Sequence, residues 1–448
     1  MAYSLEALFK FAIKLAKTAL NTRSIFPKVH KNAWTLASAL LLLMLNYSCT
    51  TAKTSFATKP EHINTVAKEP EIIESIVTQE PPTEIFGVGA LNFNGYSKLL
   101  EGKRVGVLTN QSAVVEGKNL VDFLIEKGVN LTKIYAPEHG FRGTADNGEL
   151  ISDGKDSKTN LPIISLYGDK KKPTPEQLDG IDIMVFDLQD VGVRFYTYIS
   201  SLHYLMEACA EKGIAVVVLD RPNPNGKIVD GPILEPEKKS FVGMHPVPVL
   251  HGMTIGEYAR MINGEGWLAN GKKCMLYVIA CSGYLRDMPY SLPVRPSPNL
   301  PNDLSINLYA SLCLFEGTNV SVGRGTDKQF QIFGSPYLSR YTFCFTPEPN
   351  LGSKNPPYNG KDCYGEDLSE HPFIDRLELK WLLQAYKDTP DKSKFFTSYF
   401  ERLAGTAKLQ QQIESGISAS EIRATWESGL IEFKNQRQKY LIYQSASL

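Results

Sequence analysis

Apolar residues occur in two alternating patterns between residues 98 and 226. Runs of consecutive apolar residues predict buried strands, and segments with apolar residues every three or four positions predict amphipathic helices. The strands are predicted at 104–108, 131–136, 161–166, 181–186 and 214–219, and the helices at 119–128 and 201–212. Uniformly apolar strands that alternate with helices indicate an α/β fold, with a parallel sheet covered on both faces.

The pattern changes after residue 250 and predicts a second region. Thr254 begins a predicted helix at 254–262, and Glu257 three residues later completes a capping-box pattern. Up to about residue 365 the chain is rich in Pro, Tyr and Asn. The remaining elements are predicted as a strand at 275–281 and helices at 306–315, 377–387, 394–403, 407–414 and 420–437.

The N-terminal 49 residues have the pattern of an export segment. The apolar run at 33–45 is too short to span a bilayer as a helix, but it matches the core of a signal peptide. A small residue before Cys49 indicates a lipoprotein processing site, although Asn46 and Tyr47 replace the usual residues. An ordinary signal peptide and an uncleaved anchor are the alternatives.

Composition divides the rest of the chain. Residues 50–86 are rich in Thr, Lys, Glu and Pro, which predicts a disordered tether. A chain of 448 residues with 43% hydrophobic residues is long enough for two further domains. We predict an export segment at 1–49, the tether at 50–86, an α/β domain at 87–270 and a smaller α+β domain at 271–448.

Charge and cysteine usage exclude several classes of protein. Lys and Arg together number 48, equal to Asp and Glu, so there is no basic surplus for nucleic acid. The six cysteines after Cys49 form no C-x-x-C motif and no zinc-type spacing, so no metal site is expected. Cys344 and Cys363 could pair, but buried free thiols are the alternative.

Four predicted loops follow strands and should emerge at one edge of the sheet. In such folds, ligands bind at the carboxyl ends of the strands. The loops have the sequences TNQS (109–112), PEHGFRG (137–143), LQDVGVR (188–194) and DRPNPNG (220–226). Their polar residues, which form the candidate site, are Asn110, Glu138, His139, Arg142, Asp190, Arg194, Asp220, Arg221 and Asn223.

The neighbouring Glu138 and His139 are the most informative pair in these loops. Pro137 before them and Gly140 after them make the backbone stiff and turned. A charged pair near a strand end costs desolvation energy unless it is paired or used. Glu138 is therefore a candidate general acid, base or nucleophile, and a buried salt bridge to Arg142 is the alternative.

Three other candidates, Asp190, Tyr196 and His251, each have a ligand-binding interpretation and a structural one. Asp190 could face a ligand or could pair with Arg194. Arg194 could bind a carboxylate, and Tyr196 could stack on a sugar ring or simply belong to the core. His251, just before the helix at 254–262, could contact a ligand or stabilise a turn.

Glu316 ends a predicted helix, where the helix dipole disfavours an acid. Catalysis would explain it, and so would a salt bridge to Arg324.

Motifs of several enzyme classes are absent from the sequence. There is no P-loop and no G-x-G-x-x-G after the first strand of the sheet, so a nucleotide-binding protein is disfavoured. The sequence contains neither H-E-x-x-H nor G-x-S-x-G, so zinc-peptidase and serine-hydrolase chemistry have no support. We expect no cofactor.

Seven stretches in order resemble motifs of the bacterial exo-β-N-acetylmuramidases of the NamZ type. They are VLTNQSA (107–113), APEHGFRG (136–143), FDLQDVGVRFYTYI (186–199), DRPNPNG (220–226), LHGMTIGE (250–257), PSPNLP (296–301) and LFEGTNVSVGRGT (314–326). The resemblance covers the chain from about residue 98 and is weak beyond about residue 370. It implies a Rossmann-like domain without nucleotide, a smaller C-terminal domain and an active site in the cleft between them.

The resemblance also implies an activity: release of N-acetylmuramic acid from the non-reducing end of peptidoglycan fragments. The family's catalytic glutamate matches Glu138, and Glu316 and Asp190 lie in matching motifs as candidates for a second carboxylate. The distance between two such carboxyl groups, about 5 Å or roughly 6.5–9.5 Å, would decide between retention and inversion. Substrate assistance by the acetamido group is a third possibility. The lactyl carboxylate would require an arginine, with Arg142, Arg194 and Arg324 as candidates.

These expectations describe a cell-envelope lipoprotein of a Gram-negative bacterium that acts on muramyl saccharides and is held at a membrane through Cys49. Two alternatives remain at this point. One is a non-catalytic wall-binding lipoprotein, and the other is a glycosidase for another N-acetyl aminosugar.

Overall fold

A computed structural model describes residues 86–138, 140–141 and 153–446. The predicted export segment, Cys49 and the tether up to residue 85 lie outside the described residues. All described residues fall within one compact unit, Glu71–Leu448.

The described residues form twelve strands and ten α-helices. The strands are β1 (Val105–Thr109), β2 (Val114–Val115), β3 (Lys118–Asn119), β4 (Leu131–Ala136), β5 (Gly154–Lys155), β6 (Pro162–Ser165), β7 (Ile183–Asp187), β8 (Ala215–Leu219), β9 (Leu276–Ile279), β10 (Ile332–Ser335), β11 (Phe343–Phe345) and β12 (Cys363–Asp367). The helices are α1 (Phe93–Leu100), α2 (Leu120–Glu126), α3 (Tyr198–Lys212), α4 (Ile255–Gly264), α5 (Asp303–Leu312), α6 (Lys380–Asp388), α7 (Phe400–Ala404), α8 (Lys408–Glu414), α9 (Ala419–Ala424) and α10 (Glu427–Arg437).

The large sheet has seven strands in the order β5-β6-β4-β1-β7-β8-β9. Every neighbouring pair is parallel except β5 with β6, which is antiparallel. The predicted α/β fold with a mainly parallel sheet is therefore confirmed. The chain passes outward from β1 to β4 and β6, and then returns to the other side of β1 to form β7 and β8. Such a switch point is where open α/β sheets place their ligands.

The central strands are buried on both faces because they consist of apolar residues. All five residues of β1 and all five of β7 are buried, as expected for strands covered by helices on each side. The two strands pair in register from Val105 with Ile183 to Thr109 with Asp187. Their carboxyl ends therefore lie side by side, and the loops that follow them emerge at one edge.

The strand at Leu276–Ile279 belongs to the large sheet, although the sequence assigned this segment to the second region. It pairs in parallel with β8, from Val216 with Leu276 to Leu219 with Ile279. Because an edge strand needs only one neighbour, the sheet can take up a strand beyond the predicted boundary at residue 270. The sheet thus extends at least to residue 279.

A small antiparallel sheet in the order β10-β12-β11 was not predicted. Its central strand has the sequence CYGED, which lacks both an apolar run and clean alternation. A Cβ atom at Gly365 would lie 1.8 Å from the carbonyl oxygen of Phe333, so the two strands approach more closely than a side chain would allow. Cys344 and Cys363 lie on the neighbouring strands of this sheet and are both free, so the suggested pairing is wrong.

The predicted helices are present with shifted ends. Thr254 caps α4 and forms the expected capping box with Glu257. The single helix predicted at 420–437 is two helices, α9 and α10. The helix predicted at 394–403 is reduced to the short α7.

One hydrophobic core joins the two regions. It runs from residues of the large sheet, such as Phe186 and Val218, to Phe333 in the small sheet and to Trp426 and Phe433 near the C-terminal helices. A smaller cluster covers the other face of the sheet around α1 and α2. The two predicted regions therefore share their main core.

The segment after α10 returns to the large sheet. The Tyr443 hydroxyl donates to Asp220 Oδ2 at 2.7 Å, and Arg286 donates to the carbonyl of Tyr443 at 2.9 Å. Glu257 accepts a hydrogen bond from the backbone N–H of Ile442 at 2.8 Å. The end of the described chain thus completes the hydrogen bonding of a buried carboxylate beside β8. Within the described residues, none of the helices combines the length and apolar character needed to cross a bilayer.

Candidate active site

A pocket opens at the carboxyl edge of the sheet, against the second region. Glu138 lies two residues after β4, and Thr197 directly precedes α3. Glu316 and Arg324 reach the pocket from the segment after α5. The space not occupied by protein atoms, including the opening to solvent, is about 790 Å³.

Glu138 is half-buried in this pocket and is held by two hydroxyl groups. The Tyr167 hydroxyl donates to Oε1 at 2.9 Å, and Thr197 Oγ1 donates to Oε2 at 3.0 Å. Both oxygens are therefore oriented by neutral donors.

Aromatic side chains form one wall of the pocket. The rings of Tyr196 and Tyr198 meet edge to face with centroids 4.8 Å apart, and Tyr309 lies 6.1 Å from Tyr196. The Tyr196 hydroxyl donates to the carbonyl of Pro296 at 2.8 Å. Burial raises the pKa of Tyr196, and the nearby Tyr198 adds to this shift. The wall thus offers neutral, immobile ring faces and edges, which suit a sugar ring.

Glu316 and Arg324 form an ion pair that also lines the pocket. Arg324 Nε donates to Glu316 Oε1 at 2.5 Å, and the Cys313 thiol donates to Oε2 at 3.4 Å. The guanidinium lies 5.2 Å from the centroid of the Phe330 ring. Burial acts to lower the pKa of Arg324, but the charge and hydrogen bond of Glu316 outweigh burial and raise it. The salt bridge that the sequence offered as an alternative is therefore present.

Two buried polar atoms of the pocket residues have no hydrogen-bond partner among the described residues. They are Arg324 Nη1 and Asn299 Oδ1. Asn299 Nδ2 donates to the carbonyl of Gly352 at 2.6 Å, which fixes the orientation of the amide. Since buried polar atoms are nearly always paired, these two atoms are exceptions among the residues of the pocket.

Asp190, a predicted catalytic candidate, does not line the pocket. Its side chain is buried, and Oδ2 accepts a hydrogen bond from the N–H of Gly192 at 2.7 Å. Burial raises its pKa to about 7, although backbone hydrogen bonds from Gly192 and Val191 oppose the shift. His251 Nε2 lies 3.8 Å from Oδ2. Asp190 is therefore too deep for direct contact with a substrate in this pocket.

Arg194 is fully buried and bonded to the backbone, so it is not available to a ligand. Its two terminal nitrogens donate to the carbonyls of Pro232, Val247, Leu403 and Ala404 at 2.7–3.0 Å. These four carbonyls belong to both predicted regions. The prediction that Arg194 binds substrate is wrong, because its terminal nitrogens join the two regions and the residue does not line the pocket, although its buried Nε has no partner among the described residues.

Asp220 and Arg221, which follow β8, are also buried outside the pocket. Asp220 accepts hydrogen bonds from Thr254 and Tyr443, and burial raises its pKa to about 6. Arg221 Nη2 donates to Asp187 Oδ2 at 2.9 Å, and a second contact joins Arg221 Nε to Asp187 Oδ1. These residues stabilise the sheet edge and do not face a ligand.

Asn110 and His251 likewise support the site from behind. Asn110 Nδ2 donates to the Tyr198 hydroxyl at 2.6 Å, so it positions a ring of the pocket wall. His251 is fully buried, and burial lowers its pKa to about 3. Its Nδ1 accepts from the N–H of Met253 at 3.3 Å, which supports the turn interpretation. His139 and Arg142 lie outside the described residues.

The structure therefore brings together four of the predicted site residues: Glu138, Tyr196, Glu316 and Arg324. Sequence reasoning missed several others. Thr197 and Asn299 lie inside motifs that were recognised, so their positions carried a signal. Tyr167, Tyr309 and Tyr399 lie in no recognised motif, and only the fold reveals them. No group of His, Cys, Asp or Glu side chains within the described ranges could hold a metal ion.

Comparison with known families gives two consecutive matches along the chain. Residues 105–304 match "Exo-beta-N-acetylmuramidase NamZ, N-terminal", and residues 307–443 match "Exo-beta-N-acetylmuramidase NamZ, C-terminal". A relative from Bacillus subtilis, the peptidoglycan beta-N-acetylmuramidase NamZ, is 39% identical over 417 residues. That alignment covers 87% of this chain and 96% of the relative.

Two crystal structures of DUF1343 family proteins from Bacteroides fragilis have the same fold. One is 44% identical with a TM-score of 0.75 and covers 81% of this chain and all of its own. The other is 29% identical with a TM-score of 0.67 and covers 80% of this chain and 99% of its own.

Proposed function

Because this chain belongs to the exo-β-N-acetylmuramidase NamZ family, we propose that it is a glycoside hydrolase that releases N-acetylmuramic acid from the non-reducing end of peptidoglycan fragments. The observation that carries this proposal is the position of Glu138. It lines a pocket beside an aromatic wall and is held by the hydroxyls of Tyr167 and Thr197.

Glu138 is assigned the proton transfers of the reaction. In glycoside hydrolysis a carboxylic acid protonates the leaving oxygen, and the resulting carboxylate can accept a proton from water. The two hydroxyl donors keep the carboxyl group in one orientation during both transfers. A group with this role must touch the substrate, and Glu138 lines the pocket where the substrate would lie.

Glu316 is assigned a positioning role. One of its oxygens accepts from Arg324 and the other from Cys313, so attack on the sugar through either oxygen would compete with one of these contacts. We therefore assign the second catalytic group to the acetamido group of the substrate. Asn299 Oδ1, buried and without a partner among the described residues, is the matching acceptor for the acetamido N–H.

The test is hydrolysis of nitrophenyl N-acetyl-β-muramic acid by the full-length protein, with the N-acetylglucosamine analogue in parallel. We expect release from the muramic substrate and a loss of about 10²–10⁴-fold in Glu138→Gln. Glu427→Gln, at an exposed position, is the matched control and should keep full activity.

Other outcomes would point to other functions. Release only from the N-acetylglucosamine analogue would identify a glycosidase for a different aminosugar. Tight binding of wall fragments without release from either compound would identify a wall-binding protein.

The Glu316→Gln variant tests the division of roles. A positioning role predicts a raised KM for the muramic substrate with a smaller change in kcat. A fall of about 10³-fold in kcat at unchanged KM would instead identify Glu316 as a catalytic carboxylate.

We also propose that the protein is exported and anchored to a membrane of the cell envelope through a lipid on Cys49. The apolar run at 33–45 and the small residue before Cys49 support this proposal. Metabolic labelling with a radioactive fatty acid should mark the wild-type protein but not Cys49→Ala. Equal labelling of both proteins would contradict lipidation at this position.

A further inference from the structure

We propose that Arg324 binds the lactyl carboxylate of the substrate and thereby selects N-acetylmuramic acid over N-acetylglucosamine. This inference rests on the proposed hydrolysis of a muramic substrate, and it adds the residue that recognises the group by which the two sugars differ. N-acetylmuramic acid carries a lactyl ether where N-acetylglucosamine has a neutral hydroxyl. A site that separates the two sugars therefore needs a cation at the right place.

The guanidinium of Arg324 is only partly used within the protein. Its Nε donates to Glu316 Oε1, but its buried Nη1 has no hydrogen-bond partner among the described residues. Arginine presents its donors in a rigid planar fork that matches a carboxylate. Because Arg324 lines the pocket, a substrate carboxylate there could accept from guanidinium donors that Glu316 does not use.

Arg324 is the sole arginine that lines the pocket in the part of the chain that the structure describes. The other candidates among the described residues are occupied elsewhere. Arg194 donates to four backbone carbonyls, and Arg221 is paired with Asp187. Neither can turn toward the pocket without leaving buried acceptors unpaired.

The surroundings of Arg324 strengthen the preference for N-acetylmuramic acid over N-acetylglucosamine. Glu316 balances its charge in the absence of a ligand, while Phe330 and Tyr309 supply apolar surface on the same side of the pocket. The Arg324 side chain is 12% exposed, so few water molecules compete for it. A neutral sugar would give the unused guanidinium donors no charged acceptor, and such a loss penalises the wrong ligand.

Glu316 contributes to this preference by fixing the plane of the Arg324 guanidinium. Its bond to Nε holds the guanidinium in one orientation, and the thiol of Cys313 holds Glu316 in turn. Lysine at position 324 would keep the charge but would lose the planar fork. The carboxylate preference should therefore fall in Arg324→Lys and be absent in Arg324→Gln.

The experiment is calorimetric titration of the full-length protein with three ligands: N-acetylmuramic acid, its lactyl methyl ester and N-acetylglucosamine. We expect wild type to bind the free acid at least about 10-fold more tightly than either neutral ligand, the size of one charge-assisted hydrogen bond. Arg324→Gln should lose this preference and should bind N-acetylglucosamine as wild type does. Arg340→Gln, at a residue whose side chain is 80% exposed, is the matched control and should keep the preference.

Two results would overturn the inference: equal binding of acid and ester by wild type, or an unchanged preference in both Arg324→Gln and Arg324→Lys. If Arg324→Gln does not fold, the lysine variant decides the matter, since it should reduce the preference at constant charge.

Failure of the proposed hydrolysis would look different. Carboxylate-selective binding that depends on Arg324, without release of nitrophenol, would support the carboxylate site and contradict the hydrolysis. Release of nitrophenol from the muramic compound, with a carboxylate preference that does not depend on Arg324, would support the hydrolysis and contradict the carboxylate site.

Discussion

Glu138 and Asp190 both lie at the carboxyl edge of the sheet, but their surroundings give them different properties. Glu138 is half-buried and bonded to two hydroxyls, whereas Asp190 is buried and bonded to the backbone. A half-buried carboxyl group can meet a substrate. A fully buried one affects stability and its dependence on pH.

The hydroxyl donors of Glu138 lead to a prediction about rate. Tyr167→Phe and Thr197→Val each remove one donor while keeping nearly the same shape. We expect each to lower kcat/KM for the muramic substrate by roughly 10-fold, about the value of one hydrogen bond to a charged group. Steady-state kinetics measures this, and unchanged values in both variants would contradict the assigned role of Glu138.

Asp190 leads to a prediction about pH. Burial raises its pKa to about 7, well above the value of an Asp in an unfolded chain. Between about pH 4 and pH 7 the folded protein therefore holds a proton that the unfolded chain releases, so this group costs stability as the pH rises. Asp190→Asn removes the titration. The free energy of unfolding of wild type, relative to this variant, should fall by about 1.4 kcal/mol per pH unit at most.

The measurement is urea unfolding of both proteins at several pH values from 4 to 8. The comparison with the variant is essential because His251, whose pKa burial lowers to about 3, acts in the opposite direction. Its folded form stays neutral, so its contribution to stability is lost as the pH falls below that of an unfolded histidine. A difference between wild type and Asp190→Asn that does not vary with pH would show that the proton is not retained.

Sequence could indicate which polar residues gather at the edge but not how deep each one lies. Asp190, Arg194 and Glu138 all follow apolar strands, and nothing in the local pattern separates them. The depth of Arg194 depends on Leu403 and Ala404, whose carbonyls approach it from about 200 positions away. Such long-range burial decides which candidates become site residues.

Helix caps show how one local signal can serve different purposes in different elements. Thr254 and Ser418 both form capping boxes, at the start of α4 and α9. Ser418 is exposed, whereas Thr254 is buried and also donates to Asp220 Oδ2 at 2.7 Å. The buried cap thus stabilises a helix and a carboxylate together.

We therefore expect the two caps to differ in their effect on stability. Thr254→Ala should lower the free energy of unfolding by about 2–4 kcal/mol, because it removes a cap and a hydrogen bond to a buried acid. Ser418→Ala should cost about 1 kcal/mol or less. Urea unfolding measures both, and equal losses would show that the contact with Asp220 contributes nothing.

Elements with strong periodicity were predicted well, and those shaped by their neighbours were not. The apolar strands β1, β4, β7 and β8 lie within one or two residues of their predicted positions. The strand β12 was missed because Gly365 is required by the close approach of Phe333. The local hydrophobic pattern does not predict a strand whose residue types depend on contact with a neighbouring strand.

At the scale of the whole molecule, the shared core makes the two regions one folding unit. The main cluster includes Phe186 from the large sheet and Trp426 near the C-terminal helices. Arg194 adds hydrogen bonds between the regions. Separating them would expose apolar surface and leave a buried cation unpaired.

Unfolding should therefore occur in a single cooperative transition. Trp267 lies in the predicted domain at 87–270, and Trp381 and Trp426 lie in the predicted domain at 271–448. Tryptophan fluorescence and far-ultraviolet circular dichroism should give coincident urea curves. Two separated transitions would contradict a shared core.

The location of the site could be predicted from the topology, but its composition could not. Parallel strands place their following loops at one edge, and that rule located Glu138 correctly. Glu316 and Arg324 also line the pocket, and no periodic pattern links their segment to the sheet. The pocket exists because tertiary packing brings the second region against this edge.

The bond between Tyr443 and Asp220 has a consequence for synthesis on the ribosome. The two residues are 223 positions apart. A ribosome that adds about 5–20 residues per second needs roughly 10–45 s to cover that separation. Throughout this interval the Asp220 carboxylate lacks one of its final partners, so the sheet edge stays incompletely assembled while the nascent chain grows.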